Sequence, residues 1–413
     1  MVISGLSGNE IYCLALKGFG PGELAVGNSV QSLGIAGGFA SFGKSLAGGE
    51  ISQITSLISE GRHAAIARME QEAQQRGSVG VTGVQSELRT LAGYTEFLSQ
   101  GTGVTGQPGR FFSTSASGIE LYCHLDAGYV PVRFVMGNVA YALGIGRGLT
   151  GSLRQLAQGE VKEFSQMYNG IRHVALQRLQ MEAAQAGANA VVDVKLKMLP
   201  YGPGTVELLI TGTAAYHPRL SQGPVQPHQV VTSELTGEEL WNLAKLGYVP
   251  MQLVTATSVY SLGVAQGIGA MFKAMSRGEL PEVTQLIYKA RGNCLELLRQ
   301  EAHALGAQNV VGNKLIIKEL SPGLIEIIAV GTAVRRAEGF APQSEALPPQ
   351  AVIVDRDNME IDAPVFGVAN NPYAAMMRGT GGAQANPMGC IIAAVVLTFT
   401  MIIPCAAALF GRH

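Results

Sequence analysis

The sequence repeats one pattern three times, and this repetition constrains the possible folds more than any other feature. In each repeat a Gly-Glu pair opens a helical segment, a Glu-Ala pair follows within it, and a glycine ends it. The landmarks of the second repeat lie 110 residues after those of the first, and those of the third lie 119 residues after those of the second. The helical segments therefore align without a gap, at GlyGluIle 49–51, GlyGluVal 159–161 and GlyGluLeu 278–280, with terminal glycines Gly77, Gly187 and Gly306. We place repeats 1, 2 and 3 at residues 4–105, 112–216 and 231–337.

Each repeat is predicted to be a small α+β domain. In repeat 2 the apolar residues recur every three or four positions, which is typical of an amphipathic helix, at Val161, Phe164, Tyr168, Ile171, Ala175, Leu179 and Ala183. Gly187 stands where a C-cap glycine belongs. Apolar residues from Val192 to Met198 then alternate with polar ones, as in a half-buried strand, and a turn at 201–204 leads into a returning strand. The pattern predicts strand, long helix and hairpin in each repeat.

The charge balance argues against a nucleic-acid partner. The formal net charge is −1 and only 14% of the residues are charged, so the whole chain offers no basic surface for nucleic acid. Five widely spaced cysteines without a CxxC pair indicate neither a disulfide framework nor a zinc ribbon, and they favour a reducing compartment. No Ser/His/Asp set or paired-carboxylate cleft can be argued from spacing, so we expect no enzymatic activity and name no catalytic residue.

The C-terminal region has a different composition. Residues 338–387 mix Pro, Ala, Asn and Gly with little periodicity and are predicted to be a linker. Residues 389–410 are uncharged and, at about 1.5 Å per residue, would span roughly 33 Å as a helix, against about 30 Å for the hydrocarbon core of a membrane. We therefore expect a transmembrane helix at 389–410 that anchors the protein in a lipid bilayer, with the repeats on the cytoplasmic side.

A glycine-rich segment of repeat 1, residues 38–45, matches the phosphate-binding pattern GxxxxGK[ST]. Gly48 and Gly49 interrupt the helix that should begin at Lys44, and the aligned positions of the other repeats lack the serine. We therefore predict a glycine-rich loop of the repeat at this place, and we expect no cofactor.

Repeats 2 and 3 resemble a known family. The run GluAlaAlaGlnAlaGlyAlaAsnAlaValValAspVal at 182–194 and the hairpin end IleThrGlyThrAlaAla at 210–215 are similar to the YbjQ-like family, also called the heavy-metal-binding domain. Repeat 3 keeps GluAlaHisAlaLeuGlyAlaGlnAsnValValGly at 301–312 and ValGlyThrAlaVal at 330–334, whereas repeat 1 departs from the pattern with SerValGlyValThrGly at 78–83. The resemblance implies a β-α-β-β (dodecin/YbjQ-like) unit that forms five-membered rings and has no established enzymatic activity.

The family's metal-binding name finds few candidate ligands in this sequence. A transition-metal site needs several Cys, His or carboxylate ligands to converge. Only Cys13 with Cys123 and His63 with His173 recur between repeats, and repeat 3 lacks both positions. Each also has a structural explanation, since a buried Cys is often a core residue and a helical His is often exposed. These four residues are weak candidates for a metal site.

Repeated charges on the predicted helices are candidates for contacts between subunits. Arginines and glutamates recur at constant offsets in all three repeats, at Arg62, Arg172 and Arg291 and at Glu72, Glu182 and Glu301. They either form ion pairs across an oligomer interface or lie on a solvated helix face. One helix on one small sheet leaves sheet edges and an uncovered face, which repetition or oligomerisation shields.

These observations together predict a membrane-anchored structural protein that self-assembles through its repeats into a ring, stacked rings or a cage. Its main partner is expected to be itself, as a homo-oligomer with five-fold symmetry. The alternative is a metal or small-ligand binding protein that uses the recurring cysteines and histidines.

Overall fold

The computed structural model describes residues 1–31, 49–91, 94–142, 159–201, 205–221, 223–262, 281–321 and 324–352. These residues contain six α-helices, alternately short and long. The short helices are α1 (Gly8–Ala15), α3 (Gly118–Asp126) and α5 (Gly237–Lys245). The long helices have 24 residues each and are α2 (Ser52–Gln75), α4 (Lys162–Gln185) and α6 (Pro281–Ala304). Each repeat thus contributes one short and one long helix.

Each repeat also builds one antiparallel sheet from three long strands. These are β1 (Gly20–Gln31), β3 (Gly80–Leu91) and β4 (Tyr94–Thr105) in repeat 1, β6 (Val130–Ala142), β8 (Ala190–Pro200) and β9 (Thr205–Tyr216) in repeat 2, and β11 (Tyr248–Ser261), β12 (Asn309–Ser321) and β13 (Leu324–Arg336) in repeat 3. The second hairpin strand lies between the other two long strands in every sheet. The α+β class predicted from the sequence is confirmed.

Four two-residue strands join each repeat to its neighbour. They are β2 (Gly49–Glu50), β5 (Phe112–Ser113), β7 (Gly159–Glu160) and β10 (Val231–Thr232). β2 of repeat 1 pairs with β6 of repeat 2, and β7 of repeat 2 pairs with β11 of repeat 3. In the other direction, β5 of repeat 2 pairs with β3 of repeat 1, and β10 of repeat 3 pairs with β8 of repeat 2. Consecutive repeats are therefore connected in the same way twice.

Local chemistry sets the ends of the helices. The short helices begin with capping boxes, in which a hydroxyl and a glutamate three residues later satisfy each other's backbone N–H groups, at Ser7 with Glu10, Ser117 with Glu120 and Thr236 with Glu239. The long helices are followed by the predicted glycines in the left-handed conformation, with φ of 76° at Gly77, 81° at Gly187 and 72° at Gly306. Glycine adopts this conformation without strain, so the chain leaves each helix at the same point.

The long helix packs very closely on the first strand in repeats 1 and 2. A Cβ atom on Gly27 would lie 2.1 Å from the carbonyl oxygen of Ala65, and one on Gly137 would lie 2.0 Å from that of Ala175. Because these atoms belong to the helix backbone, a side chain at either position would push the helix off the sheet. Most of the predicted apolar stripe of α4 is buried there, at Tyr168, Ile171, Ala175, Leu179 and Ala183.

Besides the packing of each long helix on its sheet, the three short helices pack into one apolar cluster to which all three repeats contribute. The charged residue Asp126 lies next to this cluster and is fully buried. Its carboxylate accepts hydrogen bonds from Lys17 Nζ of repeat 1 at 2.6 Å, from Trp241 Nε1 of repeat 3 at 2.7 Å and from the Ser344 hydroxyl at 2.8 Å. Burial alone would raise the pKa of Asp126, but these donors hold it below its ordinary value. A single carboxylate therefore ties three repeats together.

Part of the predicted linker packs on this cluster. Residues 338–352 contribute Ser344 and the buried Ala351, which lies in a short 3₁₀ turn at Pro349–Ala351. The rest of the predicted linker, residues 353–387, lies outside the described residues, as does the glycine-rich segment at 38–45.

Among the helices of the described ranges, none is long and apolar enough to cross a membrane. The three long helices have sufficient length, but each packs one stripe on a sheet and carries charged residues elsewhere, as α2 does at Glu60, Arg68 and Glu70. This finding contradicts the predicted membrane localisation, which is not retained. The segment for which the transmembrane helix was predicted, 389–410, lies outside the described residues.

Candidate assembly interface

Repeat 1 meets repeat 2 through two complementary faces. We call the face that a repeat presents to the following one its tail face. It is built by the long helix and the first hairpin strand, and in repeat 1 it includes Ile54, Ile58, Arg62, Ile66 and Val84. The receiving surface, which we call the head face, is built by the first and last long strands, and in repeat 2 it includes Phe134, Met136, Ala140 and Leu209. The apolar members of both faces are buried together.

The boundary between repeats 2 and 3 uses the corresponding residues. The tail face of repeat 2 presents Tyr168, Leu176 and Val194, and the head face of repeat 3 presents Leu253, Val259 and Ile328, all in one buried cluster. Valine is kept at 84 and 194, the other five of these positions carry a different apolar residue, and Met136 of the first boundary is replaced by Thr255. The chain has therefore formed the same kind of interface twice, and burial of these apolar surfaces stabilises both.

A buried ion pair crosses each boundary. Arg62 of α2 donates from Nε and Nη2 to the two carboxylate oxygens of Glu207 in β9, at 3.0 and 2.6 Å. Arg172 of α4 pairs with Glu326 of β13 at 2.6 Å. All four side chains are buried, so a shift of one repeat against the next would leave charges buried without partners. The pairs fix the alignment of neighbouring repeats.

Two of the three arginine candidates, Arg62 and Arg172, thus lie at repeat boundaries, but their partners are glutamates that the sequence analysis did not single out. Glu96, Glu207 and Glu326 occupy corresponding positions, 111 and 119 residues apart. The sequence did contain a sign of these glutamates, because each of the three recurs near the start of the last strand of its repeat. It was missed because Arg62 and Glu207 are 145 residues apart in sequence and belong to different repeats.

The candidate glutamates of the helices bind the first strand of their own repeat. Each accepts a hydrogen bond from a backbone N–H: Glu72 from Val26 at 2.6 Å, Glu182 from Met136 at 2.8 Å, and Glu301 from Thr255 at 3.1 Å. A carboxylate in this position satisfies a backbone donor of the strand for which the described strands offer no acceptor. Whether these glutamates and the arginines also contact another subunit stays a prediction.

Histidines of the preceding repeat bind two of these glutamates. His63 Nε2 contacts Glu182, and His173 Nε2 lies 3.2 Å from Glu301. The hydrogen bond to the carboxylate raises the pKa of both histidines above the ordinary value. Stability from these pairs is therefore fully present below the unfolded pKa of about 6.5 and is lost as pH rises through the folded pKa. Solvent screening keeps it small, because the histidine side chains are 40% and 46% exposed.

The metal-ligand candidates fall into separate places. Cys13 and Cys123 are buried among the short helices, where burial raises the pKa of both thiols and disfavours the thiolate that a metal needs. His63 and His173 lie on the long helices and bind glutamates. Within the part of the chain that the structure describes, no group of three or more His, Cys, Asp or Glu residues is arranged to hold a metal ion.

Among the described residues, nothing covers the head face of repeat 1 or the tail face of repeat 3. On the head face of repeat 1, Leu24 and Val30 are 44% and 51% exposed, whereas their counterparts in repeats 2 and 3 are buried. On the tail face of repeat 3, Leu315 and Ile317 are 40% and 43% exposed, whereas the counterparts in repeats 1 and 2 are buried or half-buried. Exposed apolar surface of this kind marks an interaction site.

A family model described as "Putative heavy-metal-binding" (YbjQ_1) matches three segments of the chain, residues 22–107, 130–217 and 247–337. Each segment starts at or near the first long strand of a repeat and ends with the hairpin. The matches therefore coincide with the three sheets and their long helices, and the short helices lie outside them.

Similar proteins occur in bacteria and archaea. An encapsulin nanocompartment protein of Mycobacterium tuberculosis is 34% identical over 226 residues, which cover 51% of this chain and 84% of that protein. A UPF0145 protein of Methanoregula boonei is 42% identical over 81 residues, covering 20% of this chain and 68% of its own length. A UPF0145 protein of Thermoplasma acidophilum is 39% identical over 80 residues, covering 19% and 67%.

Proposed function

Because the chain belongs to the YbjQ_1 family, with one family match in each of its three repeats, we propose that it is a structural protein that assembles with further copies of itself. The assembly is a homo-oligomer in the form of a ring, stacked rings or a cage. The similarity to an encapsulin nanocompartment protein supports this proposal, since that protein is named for a compartment. Five-fold symmetry, which the family resemblance implied, is one form that the assembly can take.

One observation carries the proposal. The chain buries a head face against a tail face at both internal boundaries, yet in the part that the structure describes the head face of repeat 1 and the tail face of repeat 3 stay exposed. Exposed apolar surface costs free energy in water, and a second copy of the chain offers a complementary surface. The proposal assigns the protein no catalytic activity, and four of the repeated charged residues, Arg62, Glu207, Arg172 and Glu326, form the ion pairs between repeats.

Mass photometry of the full-length protein, followed by particle imaging, tests this proposal. We expect a discrete species whose mass is a multiple of the 43.3 kDa chain. Imaging of the same sample then gives its symmetry. A single chain at every concentration up to the micromolar range contradicts the proposal.

Metal binding is a separate outcome that elemental analysis of the purified protein decides. Variants with Cys13→Ser and Cys123→Ser serve as the comparison, because these thiols recur between repeats. Stoichiometric metal that both substitutions remove would favour the alternative function. We expect no such metal, since burial keeps both thiols protonated.

A further inference from the structure

We propose that the tail face of repeat 3 binds the head face of repeat 1 in a second copy of this chain, and that Arg291 and Glu96 form the ion pair of this junction. The inference rests on the proposed self-assembly and adds its direction and its central contact. Such a contact is heterologous, because two different surfaces of the chain meet.

In the described part of one chain, the series of ion pairs is incomplete. Three arginines, Arg62, Arg172 and Arg291, and three glutamates, Glu96, Glu207 and Glu326, occupy corresponding positions in the repeats. In both pairs that the structure shows, the arginine binds the glutamate of the next repeat: Arg62 binds Glu207, and Arg172 binds Glu326. The remaining arginine lies in the last repeat and the remaining glutamate in the first. A junction between two chains is the place where they meet.

Among the described residues, neither of the two remaining side chains has the ionic partner that its counterparts have. The Arg291 Nε atom is buried with no hydrogen-bond partner among the described residues, and its guanidinium lies 5.8 Å from the ring centroid of Tyr288. The Nε of Arg172 is likewise unpaired, but a carboxylate binds the Nη2 of that side chain. Glu96 accepts a hydrogen bond from the Asn28 side chain at 3.3 Å, and no ion pair is found for it in the described ranges. A carboxylate placed as at the internal boundaries would satisfy Arg291.

The apolar surfaces around these charges also match. On the tail face of repeat 3, Ile287 and Leu295 correspond to Tyr168 and Leu176 of repeat 2. Asn313 replaces the valine of the other repeats, and the exposed Leu315 lies two residues further along the same strand. The head face of repeat 1 presents Leu24, Val26 and Val30. Their counterparts on the head face of repeat 2, Phe134, Met136 and Ala140, are buried by the tail face of repeat 1. The same coverage by a second chain would remove the exposed apolar surface from water.

Repeat 3 also carries a side-chain hydroxyl at the position that binds the neighbouring strand at both internal boundaries. At the first boundary the Ala140 N–H donates to the Thr55 hydroxyl at 2.9 Å, and at the second the Val259 N–H donates to the Ser165 hydroxyl at 2.9 Å. The corresponding residue of repeat 3 is Thr284, and the corresponding strand donor of repeat 1 is the Val30 N–H. The junction can therefore form the same bond to the strand edge.

The junction differs from the internal boundaries in one contact. Gly292 of repeat 3 occupies the position of His63 and His173, so repeat 3 of one chain offers no histidine to Glu72 of the next chain. Glu72 instead pairs with Arg76 of its own helix at 2.6 Å. The junction is therefore expected to lack the histidine-dependent weakening at high pH.

Chains joined in this way close into a ring if the rotation between repeats permits and form a filament if it does not. In either case each chain adds three consecutive repeats.

Charge reversal tests the junction. Arg291→Glu places two carboxylates opposite each other, and Glu96→Arg places two guanidinium groups opposite each other. We expect each single variant to raise the concentration at which the assembly dissociates by at least about 30-fold in mass photometry. The double variant Arg291→Glu/Glu96→Arg restores opposite charges and is expected to assemble within a few-fold of the original protein.

A matched control separates this effect from a general change of charge. Glu296→Arg reverses a charge on the same helix at a position that is exposed in all three repeats, with Ala67 and Gln177 as counterparts. It is expected to assemble normally. Thermal unfolding of every variant verifies that the single chain still folds.

The outcomes distinguish the junction from self-assembly in general. Loss of assembly in both single variants with recovery in the double variant supports the junction. An oligomer whose mass is unchanged in all variants overturns it while the proposed function stands, and shows that another surface or segment joins the chains. Absence of any oligomer in the unchanged protein contradicts the proposed function itself.

Discussion

Individual charged residues decide how one repeat is aligned on the next. Arg62 and Glu207 are both fully buried and share two hydrogen bonds, while Ser86 accepts a third from the guanidinium. Burying two charges costs much of what their attraction returns, so the pair adds little net stability compared with an apolar replacement. Removing one partner is different, because it leaves the other charge buried and unpaired.

Glu207→Gln is therefore expected to destabilise the protein by about 3–5 kcal/mol, whereas the paired replacement Arg62→Met/Glu207→Leu regains most of this loss. Thermal unfolding of both variants measures the difference. Arg89→Met provides the control, because Arg89 and Glu87 form an exposed pair worth roughly 0–1 kcal/mol. A Glu207→Gln protein whose unfolding midpoint equals that of the Arg89→Met control would refute this account.

Asp193 is a second residue with an unusual environment. It has a φ of 53°, whereas the corresponding positions of the other repeats are Gly83 and Gly312. Its buried carboxylate accepts a hydrogen bond from the Ser115 hydroxyl at 2.8 Å and lies 3.0 Å from Lys195 Nζ. Burial, together with the nearby charge of Glu120, raises the pKa of Asp193 to about 6.

Asp193→Asn is expected to stabilise the protein near pH 7. A folded pKa raised above the unfolded value means that the folded state holds the proton more tightly, so stability falls as pH rises from about 4 to 6. Asparagine tolerates the left-handed conformation and carries no charge to bury, so the gain at pH 7 should be about 1–3 kcal/mol. Unfolding midpoints measured from pH 4 to 8 should show the two proteins converging near pH 4. Equal midpoints at pH 7 would contradict the prediction.

At the scale of elements, the spacing between the long helix and the first strand distinguishes repeat 3 from the others. Gly27 and Gly137 let the helix backbone rest on β1 and β6, whereas β11 carries Ala256 at the corresponding position. In repeat 3 the side chain of Cys294 lies at this contact, with its Sγ donating to the Ala256 carbonyl at 3.2 Å. The same fold therefore accommodates a methyl group at one of three equivalent contacts.

Gly137→Ala is expected to lower stability by about 1–3 kcal/mol, because its Cβ would lie 2.0 Å from the Ala175 carbonyl oxygen and 2.7 Å from the Leu179 nitrogen. Ala256→Gly removes only a methyl group and should cost about 1 kcal/mol or less. Thermal unfolding compares the two variants. Equal losses would show that the close approach in repeat 2 is not sterically required.

At the scale of the whole molecule, the position of a repeat in the row decides which of its faces are covered. Ala140 and Val259 on the head faces of repeats 2 and 3 are buried, while Val30 on the head face of repeat 1 is half exposed. The amino-acid type at these positions is apolar in every case. The repeat before it covers the head face of repeat 2 and of repeat 3, and no described segment covers that of repeat 1.

Val30→Lys is therefore expected to abolish assembly without unfolding the single chain, whereas Ala140→Lys should unfold it. The lysine at 30 remains solvated until a second chain covers it, but the lysine at 140 is buried within the chain itself. Mass photometry detects the first effect and thermal unfolding the second. An assembled Val30→Lys protein would contradict the use of the head face of repeat 1 as an interface.

The sequence alone determined the number of repeats, the position and ends of the long helices and the hairpin after each, because periodicity, capping glycines and turn residues act locally. Only the tertiary structure decided which residues of different repeats meet. The two-residue strands that join neighbouring sheets are too short to show a period, and Arg62 finds Glu207 across 145 residues. The tail-face positions Tyr168 and Leu176 of repeat 2 are buried, whereas their counterparts Ile287 and Leu295 in repeat 3 are only partly buried. Burial depends on what packs against a surface, which no local pattern records.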